Sequence, residues 1–257
     1  MNAAPNRLRL PASAGGLVEL AAHALLERAG LYALLSVAVL AVCAIVNAVW
    51  HAGSDVDELI KANVLTYVEL FGLSYVIAVV ALGVGTRATE ERPASRTILE
   101  AGVVRYLPVL GTTLVLQLVV LYTLPLSGMG AVPEHPALLL VTAPVTWFVW
   151  GVLSLAGPYA ALSADRPAIA IFGAFGHAIG AAFRPQNFTR LCLVALLSIV
   201  PNLLDDVLFD ALVRHGVAAS VASFWTSVPI DVLSVAPLAA LQTVFALDFA
   251  RRAAAQR

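Results

Sequence analysis

Charge is what this sequence has least of. Only 12% of its residues are Asp, Glu, Lys or Arg, while 60% are hydrophobic. Soluble domains carry about 25% charged residues. A chain of 257 residues cannot hide so much apolar surface within itself, so lipid is the expected solvent. Cysteine is nearly absent. Cys43 and Cys192 stand in separate apolar runs, without CxxC or metal-ligand spacing, and read as small buried hydrophobes. The formal net charge of −1 gives no electrostatic footprint for nucleic acid. Catalytic signatures are missing too: there is no GxSxG, HExxH or Walker loop. The glycines of "GVGTRATEER" follow an apolar run rather than a strand and mark an exit from the membrane. The chain therefore reads as non-enzymatic, with no cofactor and no metal. No cleavable signal peptide is expected either, because the first apolar run starts near Leu31, behind Glu19, Glu27 and Arg28.

What is abundant is long apolar sequence. A helix needs about 20 mostly apolar residues to cross a bilayer. Six runs qualify, at about 30–50, 62–84, 106–125, 137–160, 190–212 and 224–248. Three shorter amphipathic stretches, about 12–28, 94–104 and 168–183, precede the odd-numbered runs and read as interfacial helices. Of the 15 cationic residues, all but Lys61 and Arg214 fall in the terminal segments and alternate loops. By the positive-inside rule both termini face the cytoplasm. The external loops carry Asp55, Asp57, Glu58, Glu134 and Asp210.

The segments repeat. Pro11-Ala12-Ser13 recurs as Pro93-Ala94-Ser95 and, more loosely, as Pro167-Ala168-Ile169. Proline suits a first helical turn, where its missing N–H costs nothing. "RAGLYALLS" from Arg28 matches "RLCLVALLS" from Arg190 at six of nine positions, and "RYLPVLGTT" keeps Arg105. The expected fold is an all-α integral membrane protein. It forms a single membrane domain, 1–257, of six transmembrane helices in three parallel hairpin repeats, about 9–88, 91–162 and 165–250. Each repeat opens with a cytoplasmic interfacial amphipathic helix, and the repeats share an axis along the membrane normal. Arg28, Arg105 and Arg190, at the cytoplasmic boundary, are candidate contacts for lipid headgroups. Mitochondrial carriers also have three two-span repeats, but their Pro-x-acid-x-x-base motif is missing here.

"RTILEAGVVRYLPVLG" and "AIFGAFGHAIGAAFRPQNFTRLCLVALL" each run an amphipathic stretch straight into a span. In this the chain resembles a group of bacterial six-helix proteins that includes the membrane domain attached to some glycerophosphodiester phosphodiesterases. The resemblance implies a six-helix fold over most of the chain. It carries over no catalytic residue, since these residues contain no counterpart of the soluble phosphodiesterase domain.

Carboxyl groups within the apolar runs are the candidate site. "NLLDDVLFD" interrupts the fifth run, and Asn202, Asp205, Asp206 and Asp210 fall within roughly a 140° arc of a helix. Asn47 and His51 are four apart on the first run, Glu69 lies within the second, and Asp231 sits between Pro229 and Pro237 in the sixth. Ionisable residues at membrane depth are functional candidates by default. Asn47, His51, Glu69, Asn202, Asp205, Asp206 and Asp231 are therefore read as an outward-facing polar site, with His51 the expected partner of Asp205 and Asp206. His51 with Asp55 and Asp205 or Asp206 has the right chemistry for a divalent metal, but no motif fixes their spacing. His23, His177, Trp147 and Trp150 read as interfacial or packing side chains.

Three functions are compatible with this pattern. The first is a bacterial inner-membrane envelope or assembly protein acting through membrane lipid or other membrane-protein subunits. The second is a small transporter or channel for a cation, proton or polar solute that uses the acidic site. The third is a lipid enzyme built on His51 and the aspartates. Glu69 and Asp231 facing each other across a hydrated cavity would favour transport; their burial against Trp or Tyr would favour a scaffold.

Overall fold

The computed structural model describes residues 9–50, 53–89, 92–127 and 136–256. Among these the chain is helical, with no strand. Nine α-helices follow in order: α1 Ala14–Glu27, α2 Ala29–Val49, α3 Asp55–Ala88, α4 Ser95–Ser127, α5 Pro136–Ser154, α6 Ala156–Leu162, α7 Pro167–Ala182, α8 Phe188–Arg214 and α9 Ala219–Ala254. Six segments are long and apolar enough to cross a membrane: α2, α3, α4, α5 with α6, α8 and α9. The protein is a multi-pass α-helical membrane protein.

Local sequence explains the helix starts. Ser13 Oγ accepts the Gly16 N–H at 3.1 Å and opens α1, and Ser54 Oγ accepts the Asp57 N–H at 3.3 Å and opens α3; these are N-caps. Pro167 occupies the first turn of α7. The amphipathic stretches at 12–28 and 168–183 form separate helices, as expected. The stretch at 94–104 does not, because α4 runs unbroken from Ser95 to Ser127. Breakers account for the difference. Arg28 leaves the helical region at φ −128°, ψ 23°. Arg184 stands before Pro185 and is extended at φ −104°, ψ 110°, as a residue preceding proline tends to be. In α4 the proline comes three residues after Arg105, at Pro108, inside the helix. Such a proline is tolerated in a membrane helix when neighbours satisfy the freed carbonyl.

α3 and α9 are the innermost spans. Val76, Val79, Val80 and Val84 of α3 and Val244, Phe245 and Phe249 of α9 pack with Leu155, Ala160 and Ala161 into the main core. This core lies toward the end of the bundle that carries most arginines. A smaller cluster, Cys43, Leu65, Phe224, Val228 and Val232, occupies the other end. α2 turns Leu34, Val37, Ile45 and Val49 outward, and α8 turns Leu196, Leu203, Leu204 and Val207 outward, as lipid-facing helices must. Lipid offers no hydrophobic drive between helices, so close contact through small residues has to hold them. At Gly151 of α5 a Cβ atom would collide with the backbone Cα of Ala195 in α8.

The arginine-rich end is tied together by ionic and backbone contacts. Asp248 of α9 is 0% exposed. Its Oδ1 accepts from Arg251 Nη2 at 2.6 Å, and its Oδ2 accepts from Arg252 Nε at 2.8 Å and lies 3.3 Å from Arg190 Nη1. The same arginines hold the strap of residues leading into α1. Arg251 donates to the carbonyls of Leu10, at 2.6 Å, and Pro11, at 3.3 Å. Arg190 donates to the carbonyl of Ala12, and the Arg9 N–H donates to the Ala88 carbonyl at 3.1 Å. Arg28 donates to the Pro93 carbonyl at 2.8 Å and to Ser95 Oγ at 3.3 Å, and Arg87 pairs with Glu27 at 3.2 Å.

Arg28 and Arg190, read from the sequence as headgroup contacts, are thus bound to protein. Arg105 is half-buried and makes no such contact with a described residue.

Candidate functional site

Three carboxyl groups from three helices approach one another at the end of the bundle away from the arginines. Glu69 comes from α3, Asp205 from α8 and Asp231 from α9, each partly buried. Asp231 and Asp205 lie within electrostatic reach of Glu69, and Asp205 within reach of Asp231. At 1.5 Å per residue, Asp205 sits about 14 Å from the C-terminal end of α8, Asp231 about 18 Å from the N-terminal end of α9, and Glu69 about 21 Å from the N-terminal end of α3. All three are therefore in the half of their helix away from the arginine-rich end.

Few donors reach the group. Ser227 lies one turn before Asp231 on α9 and donates its hydroxyl to Asp205 Oδ2 at 2.9 Å. Glu69 Oε1 and Asp205 Oδ1 are buried without a hydrogen-bond partner. Elsewhere at membrane depth Trp147 Nε1 and Tyr32 OH are also buried without a partner, while other polar side chains are paired. Gln242 Nε2 donates to Ser154 Oγ at 2.9 Å and Ser198 Oγ at 3.2 Å, and Trp150 Nε1 donates to Thr123 Oγ1 at 2.8 Å. A buried carboxylate oxygen without donor or counter-charge is costly. Among the described residues, no set of three or more His, Cys, Asp or Glu side chains converges as a metal site.

Not every residue anticipated here joins the site. Asp206 and Asn202 are exposed, and Asn202 Nδ2 reaches back only to its own helix, at the Ser198 carbonyl, 3.4 Å away. Successive residues on a helix are separated by about 100°, and α9 covers only the direction taken by Asp205. Asp206 and Asn202 thus leave the candidate set. Asp210 is exposed too and pairs with Arg214 at 3.3 Å. Asn47 is half-buried on α2, one turn beyond Cys43, whose thiol lies within electrostatic reach of Glu69. His51 lies outside the described residues, and the partner that Asp205 does have is Ser227.

Sequence reasoning missed Asp248 as a structural centre. Its only local signal is the spacing to Arg251 and Arg252, three and four residues on. The long-range partner, Arg190, leaves no trace in the order of residues.

Comparison with protein-family models, with curated proteins and with solved structures finds no match.

Proposed function

We propose that the protein binds and passes a proton or small cation at Glu69, Asp205 and Asp231, as a small transporter or channel. The observation that carries this reading is that three carboxyl groups from three helices lie within electrostatic reach of one another, with no basic side chain acting on them among the described residues. A scaffold gains nothing from such a group, because buried acids left unpaired destabilise it. Glu69 and Asp231 approach each other, and Glu69 Oε1 has no Trp or Tyr donor. The lack of a Trp or Tyr donor supports transport over a scaffold.

In the same reading the membrane is a bacterial inner membrane. The arginine-rich end faces the cytoplasm with both termini, following the positive-inside rule, and the carboxyl groups open toward the outside. Three parallel repeats are supported by the boundary arginines. Arg28 of the first reaches Pro93, which opens the second, and Arg190 of the third reaches Ala12, which opens the first. The fold-level likeness to the six-helix membrane domains is kept in this proposal, without any enzymatic role.

The test is flux into liposomes containing the purified protein, read by an internal pH dye and by cation indicators. Glu69→Gln and Asp231→Asn should each lower flux at least about tenfold, the scale of one lost charge-assisted contact, with melting temperature in detergent held or raised. A wild-type protein that passes neither protons nor cations, or variants that conduct like wild type, would sink the proposal.

A second reading, an envelope or assembly protein, draws on α7. This helix buries Ala170, Ala174 and Ala178 and leaves Ile169, Phe172 and Ile179 outward. Lipid or another membrane subunit would cover that face.

A further inference from the structure

At the arginine-rich end a cavity of about 170 Å³ lies between α6, α7 and α9, bounded by Tyr159, His177, Arg184, Phe249 and Ala253. It is distinct from the carboxyl group in the other half of the bundle. Its three polar side chains are a phenol, an imidazole and a guanidinium, and no carboxylate lines it. The His177 ring lies near Tyr159, with centroids 5.5 Å apart, and the charges of Arg184 and of the arginine-paired Asp248 are both within reach of the Tyr159 hydroxyl.

Arg184 is distinctive among the arginines around it. Arg190, Arg251 and Arg252 are committed to Asp248, whereas the Arg184 guanidinium makes no ion pair or hydrogen bond with any described residue. The floor is made of small residues. Gly176 and Gly180 belong to the same wall of α7, and a Cβ on either would meet nothing within 4 Å. The volume equals about five or six waters, room for a phosphate group and not for an acyl chain. Arg184, just past α7, and Phe249 to Ala253, in the last turns of α9, are near helix ends, where a headgroup phosphate or a phosphorylated solute can reach.

We propose that this cavity binds the phosphate group of an anionic ligand, with Arg184 as the main cationic donor and His177 and Tyr159 completing the set. Arginine suits the task because its planar fork presents paired N–H groups to phosphate oxygens. The C-terminal carbonyls of α7 act against an anion, but the nearest of them, at Ala181, is taken up by Asn187 Nδ2 at 3.1 Å.

The experiment uses the full chain in a neutral detergent. Thermal stability is followed while inorganic phosphate is titrated against chloride at matched ionic strength, and separately while a short-chain phosphatidic acid is titrated against short-chain phosphatidylcholine. Binding to the folded state raises the melting temperature in a saturable way. Saturable stabilisation by the phosphatidic acid identifies a headgroup site, and stabilisation by inorganic phosphate alone identifies a site for a soluble phosphorylated ligand. In either case Arg184→Gln should raise the half-saturating concentration at least about tenfold, and Arg184→Lys should fall between. Arg96→Gln, on an exposed arginine paired with Glu100 at 2.7 Å, should leave it unchanged. If Arg184→Gln does not fold, His177→Phe replaces it, since His177 is exposed and holds no helix in place. Saturation by neither probe, or saturation equal in the wild type and the variants, would overturn the proposal.

Discussion

Asp248 shows how much a single residue can hold in this protein. Its carboxylate is fully buried, and three arginines from two helices converge on it. Removing one partner of a buried ionic group costs about 3–5 kcal/mol, because the remaining charge is left uncompensated. Asp248→Ala should therefore strongly lower the melting temperature in detergent and reduce the yield of folded protein. Arg252→Gln, which leaves two arginines in place, should do so much less. Equal melting of Asp248→Ala and wild type would show that the arginines are held by something else. The sequence displayed three members of this centre: two arginines at helical spacing from an acid are legible, but a fourth member about sixty residues away on another helix is not. The carboxyl site was legible to the same degree. The polar interruptions of apolar runs pointed to Glu69, Asp205 and Asp231, while the choice between Asp205 and Asp206 depended on where α9 packs, a tertiary fact.

Among the helices, the clearest constraint is the crossing of α5 and α8. Gly151 allows the backbone of α5 to rest on Ala195, and a methyl group there would meet main-chain atoms, which cannot rotate away. Gly151→Ala should destabilise by about 1–3 kcal/mol, the usual cost of overpacking a tight contact. Gly173→Ala, where a Cβ meets nothing within 4 Å, should be neutral or slightly stabilising, as glycine is a poor helix residue. Thermal melts of the two variants side by side check this. The long apolar runs announced all six spans, because their length is a direct requirement of the bilayer. The continuity of α4 was less legible. Composition in 94–104 resembles that of the separate helices, and only the placement of a proline behind or inside the boundary tells them apart.

For the molecule as a whole, the distribution of arginine makes a testable statement about sidedness. In a background with Cys43 and Cys192 replaced, cysteines at Ser54 and His215 should react with a membrane-impermeant thiol reagent added outside intact cells. Cysteines at Arg96 and Ala168 should react only after the membrane is opened. The reverse labelling would invert the topology and place the carboxyl site on the cytoplasmic side.

The strap of residues 9–12 has a consequence in time. Its carbonyls are held by Arg190 and Arg251, which lie 178 and 240 to 241 residues further along the chain. During synthesis residues 10–12 must wait for α8 and α9 before they find these partners. α9 also brings Asp248, without which Arg190 has no buried acid to face. Insertion of α9 is thus the step that closes the bundle. A chain cut short before Asp248 would keep the contacts of Arg28 and Arg87 and lack the arginine centre that Asp248 holds.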